Sequence, residues 1–442
     1  MMFFRSVLIG LAVFAGLCGT ARGQGLSLVR DEEIERGLLF YVRPLFEKAG
    51  LNPDLAEVHL VRDDSVNAFA AKGLHLFVHT GLIEKADDGQ EIVAVLAHET
   101  GHIAGGHIVR LYENMRIARR NMLVSMVLGA AAAVASGRGD AAMGVMLGSV
   151  SSAQGLFAGY RRTEENAADQ TAVTLLKATG HDLSGFENIM KRLQKLESLQ
   201  ANDPAASQWA SHPAVRERLK LIVSDRIKAS DPVRIRRENA IFDRMKAKLN
   251  GFLASPARIR ALYPEKDASV PARYARAVLS YRQGRFDEAD AALKKLCDEE
   301  PDNPYFFEMK GQFLFERGKD AVSEYRKAVS LLPDSSLLRI GLAQALSGAD
   351  SFDAAVETLT VLTPVSNEDP IVWRLRAQAY AKTGRQGDAD YALAEYNLLT
   401  GDVKQAVFFA KKALSRLPDS SAAALRAQDV LIQTGAQDKK KD

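Results

Sequence analysis

The chain has 442 residues, room for two or three domains, and its 47% hydrophobic and 26% charged residues describe an ordinary globular protein. Fifty-eight basic against 55 acidic side chains leave a formal charge of +3, which supplies no field for tracking a nucleic acid backbone. The two cysteines, Cys18 and Cys297, exclude a disulfide framework and a thiolate-rich metal site, so any metal must be held by nitrogen and oxygen.

Residues 1–23 have the three-part shape of a secretory signal: a short head ending in Arg5, an apolar run from Ser6 to Leu17, and small residues around Ala21-Arg22-Gly23 for cleavage. The run is too short for a spanning helix, and Leu17 stands where a lipid-modified Cys18 requires a small neighbour. Cleavage leaves a formal charge of +1 and one thiol, Cys297, which reads as a small buried hydrophobe.

Helical spacing of apolar residues runs from about Leu26 to Gly50, with Asp31, Glu32 and Glu33 where acids favour a helix start. Three strand patterns follow, Glu57 to Arg62, Asn67 to Ala71 and Leu74 to His79, separated by turns at Asp63-Asp64-Ser65 and Lys72-Gly73. A long helical pattern from about Gln90 to Arg119 completes a small mixed α+β unit. Residues 122–158 then form two weakly apolar, Ala/Gly/Ser-rich stretches around a turn. Neither reaches the ~20 apolar residues of a span, which leaves a helical hairpin that dips into or covers something apolar, or a plain buried hairpin.

A further helical pattern covers Arg162 to Ala178. Beyond Pro271 the chain repeats itself, with helix-joining turns at Gly284, Gly318, Gly348, Gly384 and Gly401, and prolines 301, 333 and 418 closing second helices. The first interval is 34 residues, the next two are indels around it, and the last is half of it. This pattern resembles tetratricopeptide repeats, a helical solenoid of roughly four units whose concave side is a peptide groove or a cap. Lys439 to Lys441 read as a solvated tail.

Five of the eight histidines fall between His75 and His107, and His98-Glu99-Thr100-Gly101-His102 lies inside a helical pattern. Positions four apart share a helix face, so both imidazoles can grip one zinc ion. Zinc brings the pKa of the water it holds to about 7, and Glu99 can take that water's proton and pass it to the leaving amine. A catalytic zinc wants a third protein ligand. His107 sits nine residues after His98 and reads as a polar neighbour rather than a ligand. Glu165, in Glu165-Asn-Ala-Ala-Asp169, can supply a carboxylate, and Asp169 one turn on can fix a ligand imidazole's tautomer. Spacing alone does not choose between Glu164 and Glu165.

His98-Glu99-x-x-His102 with Glu165-x-x-Ala168-Asp169 downstream resembles the HtpX, Oma and CAAX-prenyl-protease superfamily of gluzincin metallopeptidases. Asn67-Ala68-Phe69-Ala70, Gly81-Leu82 and Val95-Leu96-Ala97-His98 fit that family's run-up to the metal helix. With a signal in front and repeats behind, the arrangement is similar to the periplasmic, BepA-type branch.

The resemblance implies an α+β zincin-type peptidase domain over residues 24–265, an all-α tetratricopeptide solenoid over 266–442, and one Zn2+ per chain held by His98, His102 and Glu165. It makes Arg162 the match of an arginine three residues before the ligand glutamate, although Arg161 replaces the serine common ahead of it. Ser211-His212-Pro213 matches a His-Pro motif whose histidine can donate to the developing oxyanion or bind zinc in a resting state. Leu74 to His79 would be the sheet edge receiving an extended substrate, with His75 and His79 as polar edge residues. The expected activity is endopeptidase action on envelope polypeptides in outer-membrane protein quality control, in the periplasm. Expected partners are polypeptide substrates, the outer-membrane assembly machinery through the repeats, and a peripheral membrane surface, without nucleic acid. The rival is an envelope chaperone or assembly factor with a latent protease.

Overall fold

The computed structural model describes residues 27–114, 116, 117, 120, 162–200, 231–362 and 369–436, in two compact units that meet in sequence at Ser255 and Pro256. The signal-like segment, the apolar stretches of 122–158 and Ser211-His212-Pro213 lie outside the described residues. Among the described residues, no helix is long and apolar enough to cross a membrane.

The first unit combines helices with a four-stranded mixed sheet. Its opening strand β1 (Leu28–Val29) takes residues expected to be helical, so helix α1 (Glu32–Lys48) starts later. Asp31 caps α1 by accepting from the Ile34 amide at 3.0 Å, and Glu32, Glu33 and Glu35 place negative charge on the positive end of the helix dipole. Strands β2 (Glu57–Val61), β3 (Ala68–Ala71) and β4 (His75–His79) fall on the three strand patterns.

The sheet order is β1-β2-β4-β3, with β2 and β4 parallel and β3 turned back antiparallel on β4. β4 is therefore interior, and the expectation that it is the edge is corrected: the Lys72-Gly73 turn folds β3 onto the flank of β4 away from β2, so β3 is the edge. One face of the sheet sends Val58, Leu60, Leu76 and Val78 into the core. The other carries Glu57, His59, His75, Phe77 and His79. Burial, reinforced by neighbouring His75 and Arg30, pushes the His59 imidazole down to about 4.

Helices α2 (Thr80–Lys85), α3 (Gly89–Ala104), α4 (107–114), α5 (162–178), α6 (Ser184–Gln200) and α7 (Pro232–Leu253) follow. Leu38, Tyr41 and Phe46 of α1 pack with Leu60 and Val78 of the sheet, Ile92 and Leu96 of α3, Phe186 of α6 and Phe242 of α7. Each such side chain contributes roughly 1.5–3 kcal/mol when fully buried. The helix expected from Gln90 to Arg119 breaks at Gly105-Gly106, where Gly106 adopts φ +66°, a left-handed conformation that glycine takes without a Cβ penalty.

A buried polar tie joins α3, the end of α5 and α7. The Glu238 carboxylate accepts from Gln90 Nε2 at 3.0 Å and Arg234 Nε at 2.9 Å, and pairs with His181 Nε2 at 2.9 Å. Burial alone would raise this carboxyl, but the hydrogen bonds from His181, Gln90 and Arg234 hold it below the ordinary range.

The second unit is helical in its described residues. After α8 (Pro256–Leu262) come five helix pairs: α9–α10 (Val270–Arg282, Phe286–Glu299), α11–α12 (Pro304–Glu316, Val322–Leu331), α13–α14 (Ser336–Gly348, Phe352–Thr360), α15–α16 (Pro370–Lys382, Gln386–Leu399) and α17–α18 (Val403–Leu414, Ala422–Gln433). Left-handed residues end the first helices at Gly284, Gly318, Asp350 and Gly384, spaced 34, 32 and 34 residues apart. The expected turn at Gly348 is thus corrected to Asp350, a residue type that tolerates this conformation. Gly401 ends a second helix, and Gly435 lies 34 residues beyond it, which accounts for the half-period and extends roughly four units to five pairs. Cys297 is buried beside Leu293 and Leu296, where burial pushes its thiol up to about 11.

Candidate metal centre

The site begins with the start of α3. Asp88 caps the helix by accepting from the Gln90 and Glu91 amides at 3.0 and 3.1 Å, and Ile92, Val93, Leu96 and Ala97 bury one side of it. Continuing that turn carries His98 and Glu99 inward, where they are 4% and 2% exposed. Thr100 satisfies its hydroxyl on the Leu96 carbonyl at 2.7 Å, so it adds no unpaired polar group.

One helical turn brings His102 Nε2 to 3.1 Å from His98 Nε2. From α5, the Glu165 carboxylate places one oxygen 3.4 Å from His98 Nε2 and the other 3.4 Å from His102 Nε2. These three buried residues could hold a metal ion, since one donor atom of each lies within 4.8 Å of the others. Glu164 faces elsewhere and pairs with Arg110 at 3.4 Å. Arg162 is exposed in the first turn of α5.

Two further side chains orient the imidazoles. Asp169 Oδ1 lies 2.8 Å from His98 Nδ1, and His107 Nδ1 lies 2.9 Å from His102 Nδ1. Each contact leaves the Nε2 lone pair directed at the cluster. Burial, with help from His102, pushes His107 down to about 4, so its ring is neutral and can accept from His102. His107 reaches this position because the chain breaks at Gly105-Gly106. An uninterrupted helix would place residues 102 and 107 about 140° apart around the axis.

Sequence reasoning missed two contributors. Gly101 lies against α5 so closely that an added Cβ would meet the Ala168 carbonyl oxygen at 2.8 Å and its Cα at 3.0 Å. Only a glycine facing a small residue lets the helix carrying Glu165 approach the helix carrying both histidines. The second is Ala70 of the edge strand, whose amide donates to Glu99 Oε2 at 3.0 Å. The pairing of Gly101 with Ala168 was present in the two motifs, but nothing in their separate spacings says that they touch.

A buried His-x-x-x-His helix facing a glutamate from a second helix, beside a sheet edge, is the arrangement of a metallopeptidase centre. Residues 32–225 match peptidase family M48 and residues 314–379 match a tetratricopeptide repeat, so the chain carries an M48 metallopeptidase domain followed by tetratricopeptide repeats. Among its relatives, a beta-barrel assembly-enhancing protease of Yersinia pestis is 25% identical over 433 residues, covering 90% of this chain and 87% of that protein. A putative beta-barrel assembly-enhancing protease of Vibrio cholerae is 26% identical over 383 residues, covering 84% and 78%. Metalloprotease YcaL of Escherichia coli is 30% identical over 173 residues, covering 39% of this chain and 61% of that protein.

Proposed function

We propose that the chain is an exported zinc endopeptidase that cleaves misfolded or stalled envelope polypeptides in outer-membrane protein quality control. The observation supporting it most is the buried His98, His102 and Glu165 cluster with Glu99 at the sheet edge. The two imidazole Nε2 atoms stand 3.1 Å apart, near the ~3.3 Å edge of a zinc tetrahedron, and the Glu165 carboxylate faces both, one oxygen 3.4 Å from each. Two imidazoles and a carboxylate are also a donor set that suits this ion.

When bound, zinc supplies Lewis acidity at the scissile carbonyl and lowers the pKa of the attacking water. Glu99 accepts the proton of that water at its carboxylate and returns it to the leaving amine. Asp169 and His107 keep His98 and His102 in the tautomers that leave Nε2 free, which spares the site any reorganisation during the reaction. The Ala70 N–H holds the Glu99 carboxylate, and the remaining outer backbone groups of β3 are offered to an extended substrate, which lies along the edge with a peptide bond facing Glu99. His212 is assigned to the developing oxyanion.

A leader at 1–23 fits export to the periplasm, with a catalytic domain over 24–265 and a repeat domain over 266–442 that selects substrates or binds the assembly machinery. The relatives named assembly-enhancing proteases favour an envelope role and also support the second reading, an assembly factor with a latent protease. Metal analysis of chain purified without excess zinc tests the centre. About one zinc per chain is expected, lost on His98→Ala or Glu165→Ala. Zinc that survives Glu165→Ala but not Glu164→Ala overturns the choice of third ligand.

A further inference from the structure

The outer face of the sheet holds a second convergence of metal-binding side chains that the peptidase centre does not use. β2 and β4 run parallel with Glu57 abreast of His75, and His59 follows two residues after Glu57 on the same face. His59 Nε2 lies 3.1 Å from His75 Nδ1, while one Glu57 oxygen lies 3.3 Å from His75 Nδ1 and 3.7 Å from His59 Nε2. These spacings nearly repeat those of the buried cluster and bracket the ~3.3 Å edge of a tetrahedral zinc site.

We propose that Glu57, His59 and His75 form a second site for a divalent transition ion of the zinc type, separate from the buried centre and bridging β2 to β4. The two strands fix the side-chain origins in register, so little backbone ordering is needed on binding. The His59 ring is further held by stacking on Phe77, with centroids 4.7 Å apart and planes at 26°. Two imidazoles with one carboxylate select zinc-class ions over calcium or magnesium, which prefer all-oxygen shells. The Glu57, His59 and His75 side chains are 44%, 25% and 38% exposed, so the ion enters from solvent and water takes the fourth position. Arg30, whose charge reaches His59, is ion-paired with Glu35 at 2.9 Å. The bound ion staples β4, to which the edge strand β3 is hydrogen-bonded, and thereby stiffens the sheet beside the catalytic cleft.

The test is the zinc content of the mature chain, carried on a tag without histidine, after equilibration with micromolar free zinc and removal of loose metal. Wild type is expected to hold about two ions and His75→Gln or Glu57→Gln about one, each variant still cleaving an unfolded polypeptide at the wild-type rate. A His98→Ala/His102→Ala variant should keep about one ion, which separates failure at this site from failure at the buried one. Wild type that stops at one ion, or His75→Gln and Glu57→Gln variants that both still bind two, overturns the proposal.

Discussion

Gly101 decides how closely the two ligand-bearing helices can approach. A methyl group there must displace the α5 backbone at Ala168, a contact of 2.8 Å with no flexible side chain to give way. Overpacking of this kind costs about 1–3 kcal/mol, and here the displacement falls on the helix that carries Glu165 three residues earlier. Gly101→Ala is therefore expected to leave a folded chain whose zinc affinity drops at least tenfold, read by competition with a chromogenic chelator. His98, Glu99 and His102 were legible in the sequence because helical periodicity alone puts the two histidines on one face. Choosing Glu165 over Glu164 was not a matter of spacing: neighbouring residues differ by about 100° around the axis, and which one faces the histidines depends on how α5 lies against α3. The same is true of Ala70 and His107, whose roles exist only once β3 and the Gly105-Gly106 break are in place.

At the scale of elements, the sequence located the strands by their alternation but not their order, since a period of two says which face a residue takes and nothing about which strand lies alongside. The edge fell to β3 rather than β4 for that reason. Ala70→Pro tests its role, because the substitution removes the amide that reaches Glu99 and proline is tolerated on edge strands. Cleavage is expected to fall about tenfold, the equivalent of one lost hydrogen bond of ~1.4 kcal/mol, with zinc content unchanged.

The Glu238 tie makes a separate prediction about α3, α5 and α7. Its folded pKa lies below that of the unfolded chain, so acid protonates the unfolded state first. Its stabilisation is full above the unfolded value of ~4.3 and is lost as pH falls through the lower folded value. Glu238→Gln should cost about 2 kcal/mol at pH 7 and flatten the acid limb of stability, measured by urea unfolding between pH 3 and 7. The tie had no sequence signature: Gln90, His181 and Glu238 are separated by up to 148 residues.

Over the whole molecule, the division into a catalytic α+β part and a helical repeat part was readable from two different periodicities, one local and one of 34 residues. Glycine alone does not mark the repeat, since Asp350 fills the left-handed position in the third pair. Together the parts describe a peptidase whose chemistry sits in a buried cluster and whose repeats offer a surface for other polypeptides, and the central claim is that Glu99 and the ion held by His98, His102 and Glu165 hydrolyse peptide bonds. Cleavage of an unfolded outer-membrane polypeptide by wild type and Glu99→Gln, with zinc measured on the same samples, tests it most directly. Retained zinc with cleavage reduced at least a hundredfold in Glu99→Gln is the predicted result; undiminished cleavage by the zinc-loaded variant contradicts it.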